Sequence, residues 1–356
     1  MPKLQVAVLG ATGAVGQEVV RLLDGHPWFS LAEVVASDRS VGRRYGEVVD
    51  WRAGGLPPAG ARDLIVQPLS RTPAADLLIS ALDAAVAAQV EVELARDGYP
   101  VVSNSSSHRM DPEVPLLIPE VNSSHLAALG PQRRRGGGFI VTNPNCSTIG
   151  LVLALKPLWD RFGLAEVQVA TMQAISGAGL DGVSAGLITD NVVPYIAGEE
   201  EKLETEPRKI LGDWNGSFEP ADLVVSAACH RVPVLHGHLE AVSVRLRSVA
   251  TADDIRGALA GFRAAPEVAG LPSSPPTPLE LHLRPDRPQP RLDREAGRGM
   301  TVAVGGVREC RVLDWKFTVL SHNLVRGAAG AALLNAELLV ARGEVGPGGA
   351  PRPGGG

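Results

Sequence analysis

The sequence predicts an α/β chain of two domains: a nucleotide-binding domain on a parallel sheet, then an α+β domain on a mainly antiparallel sheet. Up to residue 145, short apolar runs alternate with helix-like patterns, as parallel strands joined by helices require. A glycine-rich turn links the first run to the first helix. Past Cys146 the runs lengthen. A chain of 356 residues also exceeds one core at roughly 100 to 200 residues per domain.

In order, "QVAVLG", "LAEVVAS", "DLLISAL" and "YPVVSNS" read as strands, with "VGQEVVRLLDG" the first helix. In the second half "AEVQVATMQAIS", "LEAVSVRLRS" and "CRVLDWKFTVLS" read as long strands, with the polar helix "GEEEKLETEPRKILG" between them. The small residues of "RGAAGAALLNAELLVARG" suit a helix packed back on the first domain. "RRRGGG" at 133–138 reads as a solvated loop. The expected division is 1–145, completed by a helix over 323–343, then 146–322. From 344 to 356 the glycine- and proline-rich end reads as a floppy tail.

Composition narrows the function. The chain is 45% hydrophobic and 21% charged with net charge -5, so it lacks the basic excess that nucleic-acid binding needs. No apolar run approaches the roughly 20 residues of a membrane span, and no signal-peptide core follows the first methionine. A soluble, cytoplasmic protein that meets small molecules or copies of itself is expected. Cys146, Cys229 and Cys310 form no CxxC pair, which leaves neither a disulfide framework nor a zinc knuckle.

In "VAVLGATGAVGQEVV" the glycines Gly10, Gly13 and Gly16 stand between a buried strand and a helix. Glycine permits a tight turn and close approach of backbone to a pyrophosphate. The N–H groups opening the helix then face the anion. Gly10, Thr12, Gly13, Ala14, Val15 and Gly16 are therefore candidate cofactor residues of a Rossmann-like domain. After the second strand comes "VVASDRSVGRR". Arg39 flanked by Ser37 and Ser40 suits a ribose 2'-phosphate and favours NADP, whereas Asp38 leaves NAD possible.

The stretch "FIVTNPNCSTIGLVLALKPLW" runs a strand through a bent turn into a helix. Cys146 falls at or beside the helix start, where the dipole favours a thiolate and exposed N–H groups can hold an oxyanion. The corner reads as a nucleophile's seat, and Cys146 as the preferred target of iodoacetamide. Pro157 is expected to bend or end the helix. Cys229 and His230 are adjacent on a strand and face opposite sides, so they form no nucleophile–base pair.

Taken together, "GATGAVG", "NSSSHRMDPEVPLLIPEVN", "NPNCSTIGL", "QAISGAG", "GEEEKLETEPRKILG", "CHRVPVLHGHLEAV" and "SHNLVRGAAGAA" resemble the aspartate-β-semialdehyde dehydrogenases, most closely their archaeal and fungal branch. The resemblance implies NADPH-dependent reductive dephosphorylation of aspartyl phosphate through a cysteine thioester, in lysine, methionine and threonine synthesis. It implies Cys146 as nucleophile, Gln173 orienting the acyl group and His238 as acid-base residue. Arg231 would grip the substrate carboxylate, Arg109 and Lys202 the phosphoryl group, and Glu199 the amine, with Glu200 the next choice. Asn145 belongs to the substrate site and Asn323 lies near the nicotinamide. At least a homodimer built on the second domain is implied, either a homodimer or a homotetramer.

The same residue types meet the chemical demands of a thioester route: a thiolate, a proton shuttle, and cations for an anionic substrate. Arg231 and His238 lie seven apart, so Pro233 or Gly237 must break the strand register. His236, His238 and Glu240 alternate as metal ligands could, but no fourth ligand is close and the chemistry needs no metal. Two other readings remain: a malonyl-CoA reductase on the same scaffold, and a nucleotide-binding regulatory protein without turnover.

Overall fold

The computed structural model describes residues 2–348. In its first sheet Leu4–Leu9 (β1), Phe29–Val35 (β2), Leu77–Ser80 (β3), Pro100–Ser103 (β4) and Phe139–Thr142 (β5) pair in the order β2-β1-β3-β4-β5. Every pairing is parallel. The strands are short and almost wholly apolar because helices cover both faces. Those helices include Ala14–Leu23 (α1), Ala84–Arg96 (α2) and Leu129–Gly136 (α3).

Cys146–Phe162 (α4) leads into the second sheet. Leu164–Gln173 (β6) comes first, then Glu199–Ile210 (α5) and a two-stranded hairpin of Asp213–Trp214 (β7) and Phe218–Glu219 (β8). Val224–Arg231 (β9), His238–Leu246 (β10), Leu279–His282 (β11), Val302–Glu309 (β12) and Trp315–Ser321 (β13) complete the set. Between β10 and β11 lies the helix Ala252–Gly261 (α6). The sheet order is β11-β12-β13-β10-β6-β9, antiparallel except for the β11–β12 and β6–β9 pairs at its edges. The closing helix Gly330–Ala341 (α7) follows a π-turn over Val325–Ala329. Ala332, Leu333, Ala336 and Leu339 bury into the core of the first sheet, as the small-residue pattern predicts.

Four expectations need correction. The "RRRGGG" stretch is not a loop: Arg133 to Gly136 end α3, where Arg133 pairs with Glu344 and lies over the Phe139 ring. Pro157 does not end α4, which continues to Phe162 and stops only at Gly163, φ 66°. Burial of Ile149, Val152, Leu155 and Leu158 outweighs the roughly 3 kcal/mol an internal proline costs. "CRVLDWKFTVLS" is not one strand, because the Cys310 N–H donates to the Asp314 carbonyl and closes a turn before β13. The end of the chain is ordered beyond 344: Glu344 is ion-paired and Val345 is buried. Residues 349–356 of the expected tail lie outside the described residues. Among the described residues no helix is long and apolar enough to cross a membrane.

Candidate active site

The chain leaves β5 through Asn143 and Pro144, and Asn145 takes the N-cap. Its Oδ1 accepts the N–H groups of Ser147 at 2.9 Å and Thr148 at 3.4 Å, satisfying donors that a helix start leaves open. Cys146 is thus the first helical residue, partly exposed to a cleft. Asn145 Nδ2 donates to Glu199 Oε2 at 2.8 Å, so the residue predicted for substrate binding spends both ends of its amide on the frame.

One row of the second sheet faces this corner. Gln173 on β6 is in register with Arg231 on β9, and His238 on β10 with Ser321 on β13. Leu239 pairs with Met172, which sets His238 beside Gln173. Arg231 and His238 therefore sit on different strands, and the break expected between them is a connector that turns at Gly237, φ 97°. His238 Nε2 lies 3.2 Å from Cys146 Sγ. His236 stays outside the strand, bonded to Ser176 Oγ at 2.9 Å and stacked on His322.

Helix α5 supplies the charged wall. Glu199 and Lys202 pair at 2.8 Å, and Gln173 Nε2 donates to Glu199 at 3.3 Å. Glu200 instead turns toward β9 and accepts the Cys229 N–H, so Glu199 is the glutamate that faces the cleft. Two turns on, Glu206 accepts Arg109 Nη1 at 2.9 Å with one oxygen and the Asn145 N–H at 2.6 Å with the other. Lys209 donates to the carbonyls of Arg109, Asp111 and Val114 at 2.7 to 2.8 Å, pinning the loop that carries Arg109. Arg109 Nε is buried without a partner.

The electrostatics differ from the expected thiolate. Burial, helped by Glu199, pushes the Cys146 thiol up to about 12, against the pull of Arg109, Arg231 and Lys202. Burial and the Arg231 charge hold the His238 imidazole down to about 3. Desolvation thus opposes the charged form of both groups, and the cations around the sulfur work against it only in part. Burial also works to raise the Glu199 carboxyl. Lys202, Asn145 and Gln173 outweigh it and hold that carboxyl below its usual range.

From this corner a cleft of about 390 Å³ runs to Ala14 and Val15, past Ser105, Ser176 and Asn323. At its far end Gly10 has φ 77°, and a Cβ there would stand 2.6 Å from the Ala81 carbonyl. A Cβ on Gly16 would meet the Gly10 carbonyl at 2.2 Å. The glycines thus make room for a close turn under the start of α1, and Thr12 lies within it. Asn323 accepts the Gly237 N–H and donates to Ser176 Oγ at the mouth of the cleft. Ser37, Arg39 and Ser40 lie apart from the cleft, on a turn at the carboxyl end of β2, where the Ser40 N–H donates to the Ser37 carbonyl.

Sequence reasoning passed over Glu206, Lys209, Gly327 and the main chain of Ala174. The first two fall seven and ten residues after Glu199, on the helical stripe that reaches the cleft. Their 3.6-residue spacing was a usable signal. Gly327 packs so closely that a Cβ on it would stand 2.7 Å from that of Cys146.

Residues 5–129 match the family described as semialdehyde dehydrogenase, NAD binding domain, and residues 155–326 its dimerisation domain. An aspartate-semialdehyde dehydrogenase of Archaeoglobus fulgidus is 49% identical over 95% of this chain and 98% of its own. The chain belongs to the aspartate-semialdehyde dehydrogenase family. Another family member, from Methanothermobacter thermautotrophicus, is also 49% identical, over 94% of this chain and 99% of its own. The Candida albicans aspartate semialdehyde dehydrogenase solved with NADP superposes with a TM-score of 0.89 at 40% identity, covering 96% of this chain and 99% of that one. A Vibrio cholerae aspartate semialdehyde dehydrogenase II complexed with ASA gives 0.78 at 28% identity, covering 96% and 99%.

Proposed function

We propose that this protein catalyses NADPH-dependent reductive dephosphorylation of L-aspartyl 4-phosphate to L-aspartate 4-semialdehyde. The observation that carries the reading is Cys146 Sγ, 3.2 Å from His238, in one cleft with Arg109, Lys202 and Glu199 and reaching the glycine-rich turn. Cys146 attacks the acyl carbon as its thiol proton passes to His238, and expels phosphate as it forms a thioester. Gln173 orients the acyl group and Arg231 grips the α-carboxylate. Arg109 and Lys202 receive the phosphoryl oxygens, and Glu199 receives the amine. The nicotinamide cofactor supplies hydride when bound. Gly10, Thr12, Gly13, Ala14, Val15 and Gly16 would hold its pyrophosphate, Asn323 its nicotinamide end, and Ser37, Arg39 and Ser40 the 2'-phosphate.

We place the division between the domains at Asn145–Cys146, with residues 323–343 completing the first. A second copy would bind the open face of the second sheet. There Ala228, Ala170 and Ala241 lie side by side in register and make a flat row. This face supports the reading of a homodimer, or a tetramer of such pairs. Free thiols at Cys146, Cys229 and Cys310 suit a reducing compartment, the cytoplasm.

A coupled assay with aspartate semialdehyde, phosphate and NADP tests the reaction, with malonyl-CoA and NADPH as the competing pair. Malonate semialdehyde has no amine, so its use leaves Glu199 without a cation. Glu199→Gln is expected to damage use of aspartate semialdehyde far more than use of an analogue lacking the amine. Faster reduction of malonyl-CoA by the wild type would replace this reading with the CoA one.

A further inference from the structure

Asn143 follows the end of β5 and is buried. Its N–H donates to the Ser103 carbonyl at 2.8 Å, and its side-chain amide joins three other elements. Nδ2 donates to Asn104 Oδ1 at 2.8 Å and to the Ala328 carbonyl at 2.9 Å, while Oδ1 accepts Asn335 Nδ2 at 2.5 Å. Asn335 belongs to α7 and is fully buried, and Ala328 belongs to the π-turn that carries Gly327. Asn104 opens the loop that carries Arg109. Pro144 has no N–H to offer, so the corner between β5 and α4 leans on the side chains of Asn143 and Asn145.

Main-chain carbonyls fix the direction of this chain of amides, because they can only accept. At the Ala328 carbonyl Asn143 must present nitrogen. The same nitrogen faces Asn104, which answers with oxygen and turns its own Nδ2 to the Ser80 carbonyl, 3.0 Å away. At the other end Asn335 Nδ2 also reaches the Leu117 carbonyl at 3.4 Å. Reversing Asn335 would set its oxygen against two acceptors, so it keeps its orientation although its Oδ1 is then buried without a partner. Beyond Asn104, the main-chain carbonyl of that residue accepts Arg109 Nη2 at 3.0 Å. The links from α7 to Arg109 thus pass through one amide that both donates and accepts.

We propose that Asn143 is a positioning residue for the reaction: its amide fixes the Cys146 corner, the π-turn packed against Cys146 and the loop that presents Arg109 relative to one another. The inference rests on the reading of Cys146 as nucleophile and Arg109 as an anion-binding residue. Asn104 and Ala328 line the cleft, and Asn143 acts through them from behind.

The test is Asn143→Asp in the full-length enzyme, assayed with aspartate semialdehyde, phosphate and NADP. The aspartate keeps the size of the side chain and the acceptor facing Asn335, but has no hydrogen for Asn104 or Ala328. It is expected to lower kcat and raise the KM for phosphate, each by at least about tenfold, since misplacement of about 1 Å costs about 10² in rate. Affinity for NADP, read by fluorescence titration, should stay within about threefold of wild type, because the start of α1 holds the pyrophosphate.

A purely structural amide would give a different result: a lower melting temperature, with kcat and the KM for phosphate unchanged in the folded protein. That result would overturn the proposal. If Asn143→Asp does not fold, Asn143→Ser removes the same donors without adding charge and is judged by the same two outcomes. Failure of the underlying reading is separate. A wild type inactive on these substrates, or an active Cys146→Ala, would overturn that reading, whereas an active wild type matched by Asn143→Asp would overturn the positioning role alone.

Discussion

Glu206 joins Arg109 at 2.9 Å while its other oxygen holds the Asn145 N–H, so one buried carboxylate fixes both the Arg109 guanidinium and the residue before Cys146. Removing it strands a buried charge, at a cost of about 3 to 5 kcal/mol. Glu206→Ala is expected to lower the melting temperature. Glu206→Gln, which keeps an acceptor, should fold and show a raised KM for phosphate with a smaller change in the KM for NADP. Unchanged phosphate kinetics in a folded Glu206→Gln would remove Glu206 from this role.

Gly327 lies against Cys146 from the π-turn before α7. A methyl group there would stand 2.7 Å from Cys146 Cβ and 3.0 Å from its Cα, closer than packed atoms tolerate. The contact is with main chain and Cβ, which cannot swing aside. Gly327→Ala should displace the nucleophile and lower kcat by at least about 10²-fold, since misplacement of about 1 Å costs that much. NADP affinity, measured by fluorescence titration, should change little. A variant with wild-type kcat would show that the corner yields without cost.

The three thiols should react in an order set by their surroundings. Burial pushes Cys146 up to about 12 and Cys229 up to about 11. The N–H groups of Leu313 and Val312 hold the Cys310 thiol below its usual value. With no substrate present, iodoacetamide at about pH 8 is expected to label Cys310 first, with inactivation lagging behind total labelling. This reverses the expectation from the helix start alone. Peptide mapping that finds Cys146 modified first would contradict it.

Two buried groups give stability opposite dependences on pH. The Glu240 carboxyl is fully buried with neither oxygen bonded, and burial raises it well above its usual range. Its contribution is full below the unfolded carboxyl value and is lost as pH rises through the folded one. His238, lowered to about 3, contributes stability that is present above its unfolded value, about 6.5, and is lost as pH falls toward 3. Glu240→Gln stays neutral throughout, so its melting temperature should gain on the wild type between about pH 5 and pH 8. Parallel curves for the two proteins would show that Glu240 does not titrate in this range.

Arg39 is exposed on the turn after β2, free to meet a 2'-phosphate. A charge-assisted hydrogen bond is worth about 1.5 to 3 kcal/mol. Arg39→Ala should therefore raise the KM for NADP about tenfold or more and leave the KM for NAD nearly unchanged. Equal effects on both would show that Arg39 does not read the phosphate.

The amino-acid sequence by itself determined the alternation of strands and helices, the glycine-rich turn and the placing of Cys146 at a helix start. Each of these is written in residues within one turn or one strand of each other. The carboxylate partner of Arg109 is 97 residues away on a helix, and the amide that donates to His238 Nδ1 is 64 residues away, just past the end of β6. No local pattern announces such pairings. Only the tertiary structure decided that α4 runs through Pro157 and that the connector after Arg231 turns His238 onto the same face. It also decided that burial opposes the thiolate at Cys146. The physical reason is common to all three: burial depends on what the rest of the chain packs over a residue. Desolvation then outweighs local signals such as a proline ring or a helix dipole.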